Sequence, residues 1–205
     1  AWVATSQLSF QPGIEYNWDK GSGNRISGEP TVSTFAAFLS AEWNPYEWLS
    51  LRPGIRTILH SDFDAPFAIP SIGTKFSLNK EMDLRLSYAR GFRAPTLQEL
   101  YFNFHNANHN IDGNPDLKAE HSNNFMGSFT WRILHNKQIR ITSTLSAFYN
   151  NFRDQINTAQ NINDPTLTTY YNITKYQTTG GTLDNSLFWK NIQATIGFTL
   201  VGRYN

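Results

Sequence analysis
Hydrophobic and polar residues alternate along almost the whole chain. From Leu49 the odd positions read Leu49, Leu51, Pro53, Ile55, Thr57 and Leu59, while Ser50, Arg52, Gly54 and Arg56 fill the even ones, with Ile58 the exception. Met82, Leu84, Leu86 and Tyr88 oppose Asp83, Arg85, Ser87 and Ala89. The same pattern holds for Phe125–Ile133, Ile139–Tyr149 and Ile192–Leu200. A period of two puts successive side chains on opposite faces of a strand, and helical spacing is sustained nowhere. With the runs near 7–18, 31–44, 68–79 and 168–189, the pattern predicts an all-β chain of about nine or ten strands.

The connections alternate as strictly as the residues. Tight turns are expected at 44–48, 79–82, 134–138 and 189–191, and long polar connections at 19–30, 60–67, 91–118 and 154–168. Every tight turn then falls at one end of the sheet and every long loop at the other. This describes an antiparallel up-and-down meander with one plain end and one elaborated end.

Such a meander buries its apolar face inside a soluble β-domain or turns it outward to lipid. Most runs exceed ten residues, longer than the usual soluble strand of about 5–6 and sufficient for the roughly 9–11 that a tilted membrane strand needs. Aromatics gather near strand ends at Tyr16, Trp18, Trp43, Tyr46, Trp48, Tyr88, Trp131, Tyr149, Trp189 and Tyr204, as in the girdles of a membrane barrel. The opposite face carries Ser, Thr, Gly and spaced basic residues, of which Arg52, Arg56, Lys75, Arg85, Arg132 and Arg140 are expected to line a wet or plugged lumen. The pattern therefore points to part of a transmembrane β-barrel; a small stand-alone barrel or a soluble ligand-binding β-domain is the alternative.

Composition narrows the rest. Fifteen Phe, nine Tyr and six Trp supply the girdles, and the absence of Cys removes disulfides and thiolate metal sites. A net charge of +1 gives no electrostatic footprint for nucleic acid. No apolar run approaches the roughly 20 residues of a membrane helix, and "AWVATSQLSF" has neither the basic start nor the apolar core of a signal peptide. Since lipid tolerates no open sheet edge and bacterial single-chain barrels have even strand numbers, about nine strands are expected to belong to a larger barrel or to pair with another chain.

The pattern breaks for some thirty residues at "GFRAPTLQELYFNFHNANHNIDGNPDLKAE", Gly91 to Glu120. Pro95 removes a donor and biases Ala94 away from helix, ending strand pairing, and Asn114–Pro115–Asp116 reads as a turn that starts the return strand. "GFRAPTLQELYF" followed by "GNPDLKAE", between "LRLSYAR" and "NNFMGSFTW", resembles the paired boxes of the TonB-dependent outer-membrane receptors; the likeness extends to "LSAFYNNFRDQI" and "YYNITKYQTTGGTLDNSLFW" and so covers the chain. It implies an outer-membrane location in a Gram-negative cell and a barrel of about 22 strands with a plugged lumen. It also implies energy relayed by TonB and a scarce nutrient ligand: haem, a ferric siderophore or cobalamin. No plug domain and no TonB box are expected within residues 1–205. The expected partners are TonB and a plug through the intact receptor, outer-membrane lipid and the nutrient.

Arg93, Tyr101, His105 and His109 are the candidate ligand contacts. Imidazole and phenolate can both ligate haem iron, and the resemblance implies that a His between the two boxes, His105 or His109, takes part in haem capture. Haem enters here as cargo; no resident cofactor is expected. The bland reading is an Asn-rich surface loop whose His residues bind nothing, and no third ligand accompanies the pair as a zinc site would require. Catalysis has no foothold, because His121 and Ser122 are strand neighbours on opposite faces and no GxSxG, phosphate loop or carboxylate cluster occurs.

Overall fold
A computed structural model describes residues 1–136 and 138–205. Nine long strands form the wall: β2 (Leu8–Lys20), β3 (Thr31–Tyr46), β4 (Leu49–His60), β5 (Ile69–Ser77), β6 (Met82–Arg93), β9 (Glu120–His135), β10 (Ile139–Gln160), β11 (Thr168–Trp189) and β12 (Ile192–Tyr204). A short β1 (Trp2–Thr5) pairs with β2. The long connection after β6 holds a helix α1 (Leu97–Tyr101) and a small hairpin, β7 (Asn103–His105) and β8 (Asn110–Asp112). Each wall strand is hydrogen-bonded to its predecessor and successor in the wall, all antiparallel, as the alternation predicts.

The register aligns the apolar faces into one surface. Across it run Tyr16 opposite Phe35, Phe35 opposite Leu59, Tyr88 opposite Phe125, Phe125 opposite Tyr149, and Leu183 opposite Phe198. A slip of one residue in any pair would turn that strand's apolar set to the other face, so each pair fixes the next. This surface is open: Ile14 is 78% exposed and Ile196 76%. The buried apolar residues are few, and Leu100, Leu117 and Ala119 among them belong to the long connection or its end. A soluble β-domain would bury this face, so that alternative fails.

Aromatic contacts mark both edges of the apolar band. Tyr46 stacks on Trp48 at the tight-turn end, with ring centroids 5.4 Å apart. Toward the long-loop end Tyr88 packs on Phe125 at 4.9 Å and Phe125 on Tyr149 at 6.3 Å. The opposite face is polar and largely self-neutralised. Arg56 pairs with Glu15 at 2.8 Å, Arg52 with Glu42 at 3.2 Å, and Lys75 and Arg132 both reach Asp83, at 3.6 and 2.5 Å. Four of the six expected lumen cations thus meet carboxylates of the wall itself. Arg140 lies over the Phe188 ring at 4.3 Å.

Two expectations change. The connection expected at 154–168 is mostly strand: β10 and β11 pair from Ile139↔Trp189 to Gln160↔Thr168, leaving a loop only at 161–167. The extension "DQINTAQ" carries only Ile156 and Ala159 as apolar residues, on opposite faces, so alternation cannot mark it, whereas the backbone ladder needs no apolar residue. The connection at 91–118 is also more ordered than a loop, because it contains α1 and the β7–β8 hairpin. The sheet does not close: β1 and β12 do not pair with one another. A stand-alone closed barrel is therefore not what this chain forms.

Candidate functional site
The segment from Ala94 to Ala119 forms a strap across the long-loop end of the wall. Its anchor is Arg93, the last residue of β6. Arg93 Nε and Nη2 donate to Glu120 Oε2 and Oε1, both at 2.8 Å, while Nη1 and Nη2 donate to Glu99 Oε2 and Oε1 at 2.8 and 3.1 Å. One guanidinium fork thereby holds the start of β9 and the strap's helix to the tip of β6. Glu120 Oε1 also accepts from the Ile156 N–H at 2.6 Å, extending the tie to β10.

Glu99 has a second role. The Thr96 hydroxyl accepts from the Glu99 N–H at 3.2 Å, and the Glu99 carboxylate accepts from the Thr96 N–H at 2.8 Å. This reciprocal cap satisfies two orphan donors of a five-residue helix that propensity alone would not hold. Burial pushes the Glu99 carboxyl up, but the Arg93 hydrogen bonds and charge and the Thr96 donors outweigh it, holding the group below the ordinary carboxylate range.

The return half closes on the helix through main chain. Gly113 N–H donates to Phe102 O at 2.6 Å and Asn114 N–H to Glu99 O at 2.8 Å. A Cβ at Gly113 would lie 2.7 Å from the Leu100 carbonyl and the Tyr101 nitrogen, so only glycine permits this approach. The Asn114 amide donates to Tyr170 O at 2.9 Å, and Asn172 bonds both the N–H and the carbonyl of Lys118, at 2.8 and 3.0 Å. The two boxes are thus the hinges and clasp of one folded strap.

The strap reaches both flanks of the arc. On one side Ser27 N–H donates to Tyr101 O at 2.9 Å, Asn103 N–H to Arg25 O at 2.8 Å, and Ile26 bridges Phe102. On the other, β8 runs parallel to the start of β11, and the Asn110 amide donates to Thr166 Oγ1 at 3.1 Å. Asp164 fixes Thr166 by accepting from its N–H and hydroxyl, at 3.0 and 2.7 Å. A cavity of about 480 Å³ lies between Ala94–Gln98 and residues Val32, Thr34, Ile58 and His60. These four sit on the polar-face positions of β3 and β4, so the strap crosses on the lumen side.

The four candidate residues have different surroundings. Arg93 is occupied by two carboxylates. Tyr101 ends α1, with its carbonyl docked to Ser27. His105 Nδ1 meets Asn110 Oδ1, while its Nε2 lies 3.0 Å from Asp112 Oδ1, a buried oxygen without a hydrogen-bond partner among the described residues. His109 is exposed in the β7–β8 turn and stacks on Phe104 with centroids 5.5 Å apart; Arg25 covers the same ring at 4.0 Å. The spacing of four therefore spans a hairpin, not one turn of a helix. Among the described residues no group of three or more His, Asp or Glu is placed to hold a metal. Sequence reasoning missed Glu99, Glu120 and Arg25; the Thr96-x-x-Glu99 spacing of a capping box was the available signal for the first.

The family pattern described as "TonB dependent receptor-like, beta-barrel" matches residues 2–205. An iron-regulated outer membrane virulence protein of Vibrio cholerae is 31% identical over 159 residues, covering 75% of this chain and 24% of its own length. A hemoglobin and hemoglobin-haptoglobin-binding protein of Haemophilus influenzae is 36% identical over 86 residues, 42% of this chain and 8% of its own. The chain thus spans a quarter or less of these curated relatives. Among solved structures, the siderophore receptor PirA of Pseudomonas aeruginosa superposes with a TM-score of 0.73 at 19% identity, covering 98% of this chain and 44% of that one. The FrpB iron transporter of Neisseria meningitidis gives 0.69 at 14% identity, with 98% and 34% covered. Both likenesses concern the fold.

Proposed function
Because the chain belongs to the TonB-dependent receptor-like β-barrel family, we propose that it forms part of the ligand-facing wall of a receptor for TonB-dependent uptake of an iron-carrying nutrient, haem or a ferric siderophore. The wall lies in the outer membrane of a Gram-negative bacterium, with the strap end outside and the tight-turn end toward the periplasm. The open edges of β1 and β12 call for further strands, since lipid leaves unpaired backbone groups unsatisfied. The receptor reading adds a plug domain in the lumen and TonB as partners of the intact protein. The ligand is bound and passed inward unchanged, so the protein is not an enzyme.

The observation that carries this reading is the strap itself. It is cross-tied to the 19–30 and 161–167 loops on the lumen side of the long-loop end, where an incoming nutrient arrives. One relative is an iron-regulated outer membrane protein and another binds haemoglobin, which favours iron compounds over cobalamin. Within the strap, His109 is the candidate contact and His105 a structural residue, because Asn110 and Asp112 hold the His105 ring inside the β7–β8 hairpin whereas His109 is exposed.

The test is growth of an iron-limited host carrying the intact receptor, supplied with haemin or a ferric siderophore as sole iron source. Growth on one of them that disappears when TonB is removed is expected. Growth on neither, or growth indifferent to TonB, overturns the proposal.

A further inference from the structure
Two exposed groups stand beside one ring at the mouth of the wall. His109 stacks on Phe104 with centroids 5.5 Å apart, and the Arg25 guanidinium covers that ring at 4.0 Å from its centroid. The two heads are therefore no more than about 9.5 Å apart, the sum of those distances. One comes from the strap and the other from the 19–30 loop.

Both are placed in advance. Asn106 fixes the turn that carries His109: its side chain accepts from the Asn108 and His109 N–H groups at 2.8 Å each, and its N–H donates to His109 O at 2.8 Å. Arg25 belongs to a loop folded onto the strap. Its carbonyl accepts from Asn103 N–H at 2.8 Å, while Ile26 N–H donates to Gly23 O at 3.1 Å and Gly21 N–H to Pro30 O at 2.8 Å. Gly23, at φ 109°, supplies the turn that sets Ile26 against Phe102. Groups held in this way lose little freedom when a ligand arrives.

The charge of Arg25 is not spent within the protein. Lys20 of the same loop pairs with Glu29 at 2.6 Å, and Arg93 is shared by Glu99 and Glu120. Among the described residues, Arg25 has no carboxylate within 4 Å. A guanidinium resting its face on an aromatic ring keeps N–H donors free at its edge, in the fork that matches a carboxylate. Arg25 is thus poised for an anionic group from outside.

The chemistry of the pair distinguishes the two kinds of iron cargo. His109 offers one nitrogen ligand, and among the described residues no group of three or more His, Asp or Glu is placed to hold the ion itself. One imidazole suits an iron whose chelator leaves an axial position open, as a porphyrin does. A siderophore that wraps ferric iron in six oxygens leaves no position for it. A porphyrin also brings a flat apolar body to lie against Phe104 and Phe102, whose rings are 6.0 Å apart, and carboxylates on flexible arms at its edge.

Building on the cargo role of the strap, we propose that Arg25 is a specificity-determining residue of this mouth: it holds a peripheral carboxylate of an iron porphyrin whose iron is met by His109. The cargo class is then an iron porphyrin with free acid side chains. An uncharged porphyrin would use the imidazole and leave the guanidinium without a role; a simple organic anion would do the reverse. Only a carboxylate-bearing iron chelate with an open axial position uses both.

Titrating the detergent-solubilised intact receptor with haemin and with haemin dimethyl ester tests this, since the ester keeps the iron and the ring but has no free carboxylate. The wild type should bind haemin about three- to tenfold more tightly than the ester, the scale of one solvent-screened charge-assisted pair. Arg25→Gln should erase that preference by weakening haemin alone, with the Soret maximum of the complex unchanged because His109 still meets the iron. Arg25→Lys should keep part of the preference, as an ammonium retains the charge without the fork. Lys118→Gln, which removes an exposed cation near the other end of the strap, should keep it whole. Heat-dependent gel mobility confirms that each variant is folded. If Arg25 only supports the loop, Arg25→Gln weakens both porphyrins alike. That result, or a wild type indifferent to esterification, overturns the role of Arg25 even where haemin supports TonB-dependent growth. A wild type that binds neither porphyrin overturns the haem reading with it.

Discussion

Replacing Arg93 by Ala should release the strap while leaving the wall intact. The substitution removes four N–H···O contacts and leaves Glu99 and Glu120 as neighbouring carboxylates with side chains 17% and 16% exposed. Hydrogen bonds to charged groups contribute about 1.5–3 kcal/mol each, and stripping one partner from a fully buried pair costs about 3–5 kcal/mol. The guanidinium is 42% exposed, so solvent already screens part of the interaction. Together these give a loss of about 2–3 kcal/mol from the closed strap. At ~1.4 kcal/mol per decade, this raises the strap's opening equilibrium by about 25- to 140-fold. Amide hydrogen exchange on the intact receptor reads it directly, at the Leu100, Phe102, Gly113 and Asn114 N–H groups, all bonded within the strap. Arg93→Lys keeps the charge but loses the fork, and should fall between wild type and Arg93→Ala. Unchanged protection at these amides, or an equal loss throughout β2 and β3, would refute the idea that Arg93 clasps the strap.

Four further outcomes follow from the same geometry. Gly113→Ala forces a Cβ against Leu100 backbone that cannot yield, and should cost about 1–3 kcal/mol in strap stability, visible as faster proteolysis between 94 and 119. The Glu99 carboxyl is held below its ordinary value of 4.5 in the folded strap, so its contribution is complete above that pH and is lost as pH falls through the lower folded value. Strap exchange should therefore be flat above about pH 5 and accelerate below pH 4.5, with the Glu99→Gln variant showing a weaker acid dependence. Haemin titrations should change at His109→Ala in the Soret band if haem is the cargo, whereas His105→Ala should chiefly loosen the β7–β8 hairpin; an effect confined to His105→Ala would reverse these roles. Leu145→Arg on the lipid face should cost about 2–4 kcal/mol in urea unfolding from vesicles, and Thr144→Arg on the lumen face much less.

Much of this protein was written into its alternation. Two-residue periodicity identifies the nine long strands, and the strict alternation of short and long connections orders them. A strand's faces are set by position alone, so Leu145 and Phe198 could be assigned to one surface without knowing their neighbours. The Pro95 and Asn114–Pro115 steps likewise marked the strap's ends, since proline's missing donor acts locally.

What required the tertiary structure was every interaction between segments distant in sequence. Register turned separate apolar faces into one open surface, and that exposure excluded a soluble domain. Arg93 is held in part by Glu120, 27 residues away, a pairing that no local pattern marks. The polar end of β10 gave no periodic signal, because a ladder of backbone hydrogen bonds can extend a strand without apolar side chains. Arg25 and His109 are remote in sequence, and only the docking of the 19–30 loop on the strap sets both against Phe104. Local preference is legible in a sequence because it depends on near neighbours, whereas ion pairs and cavities depend on which strands the sheet brings side by side.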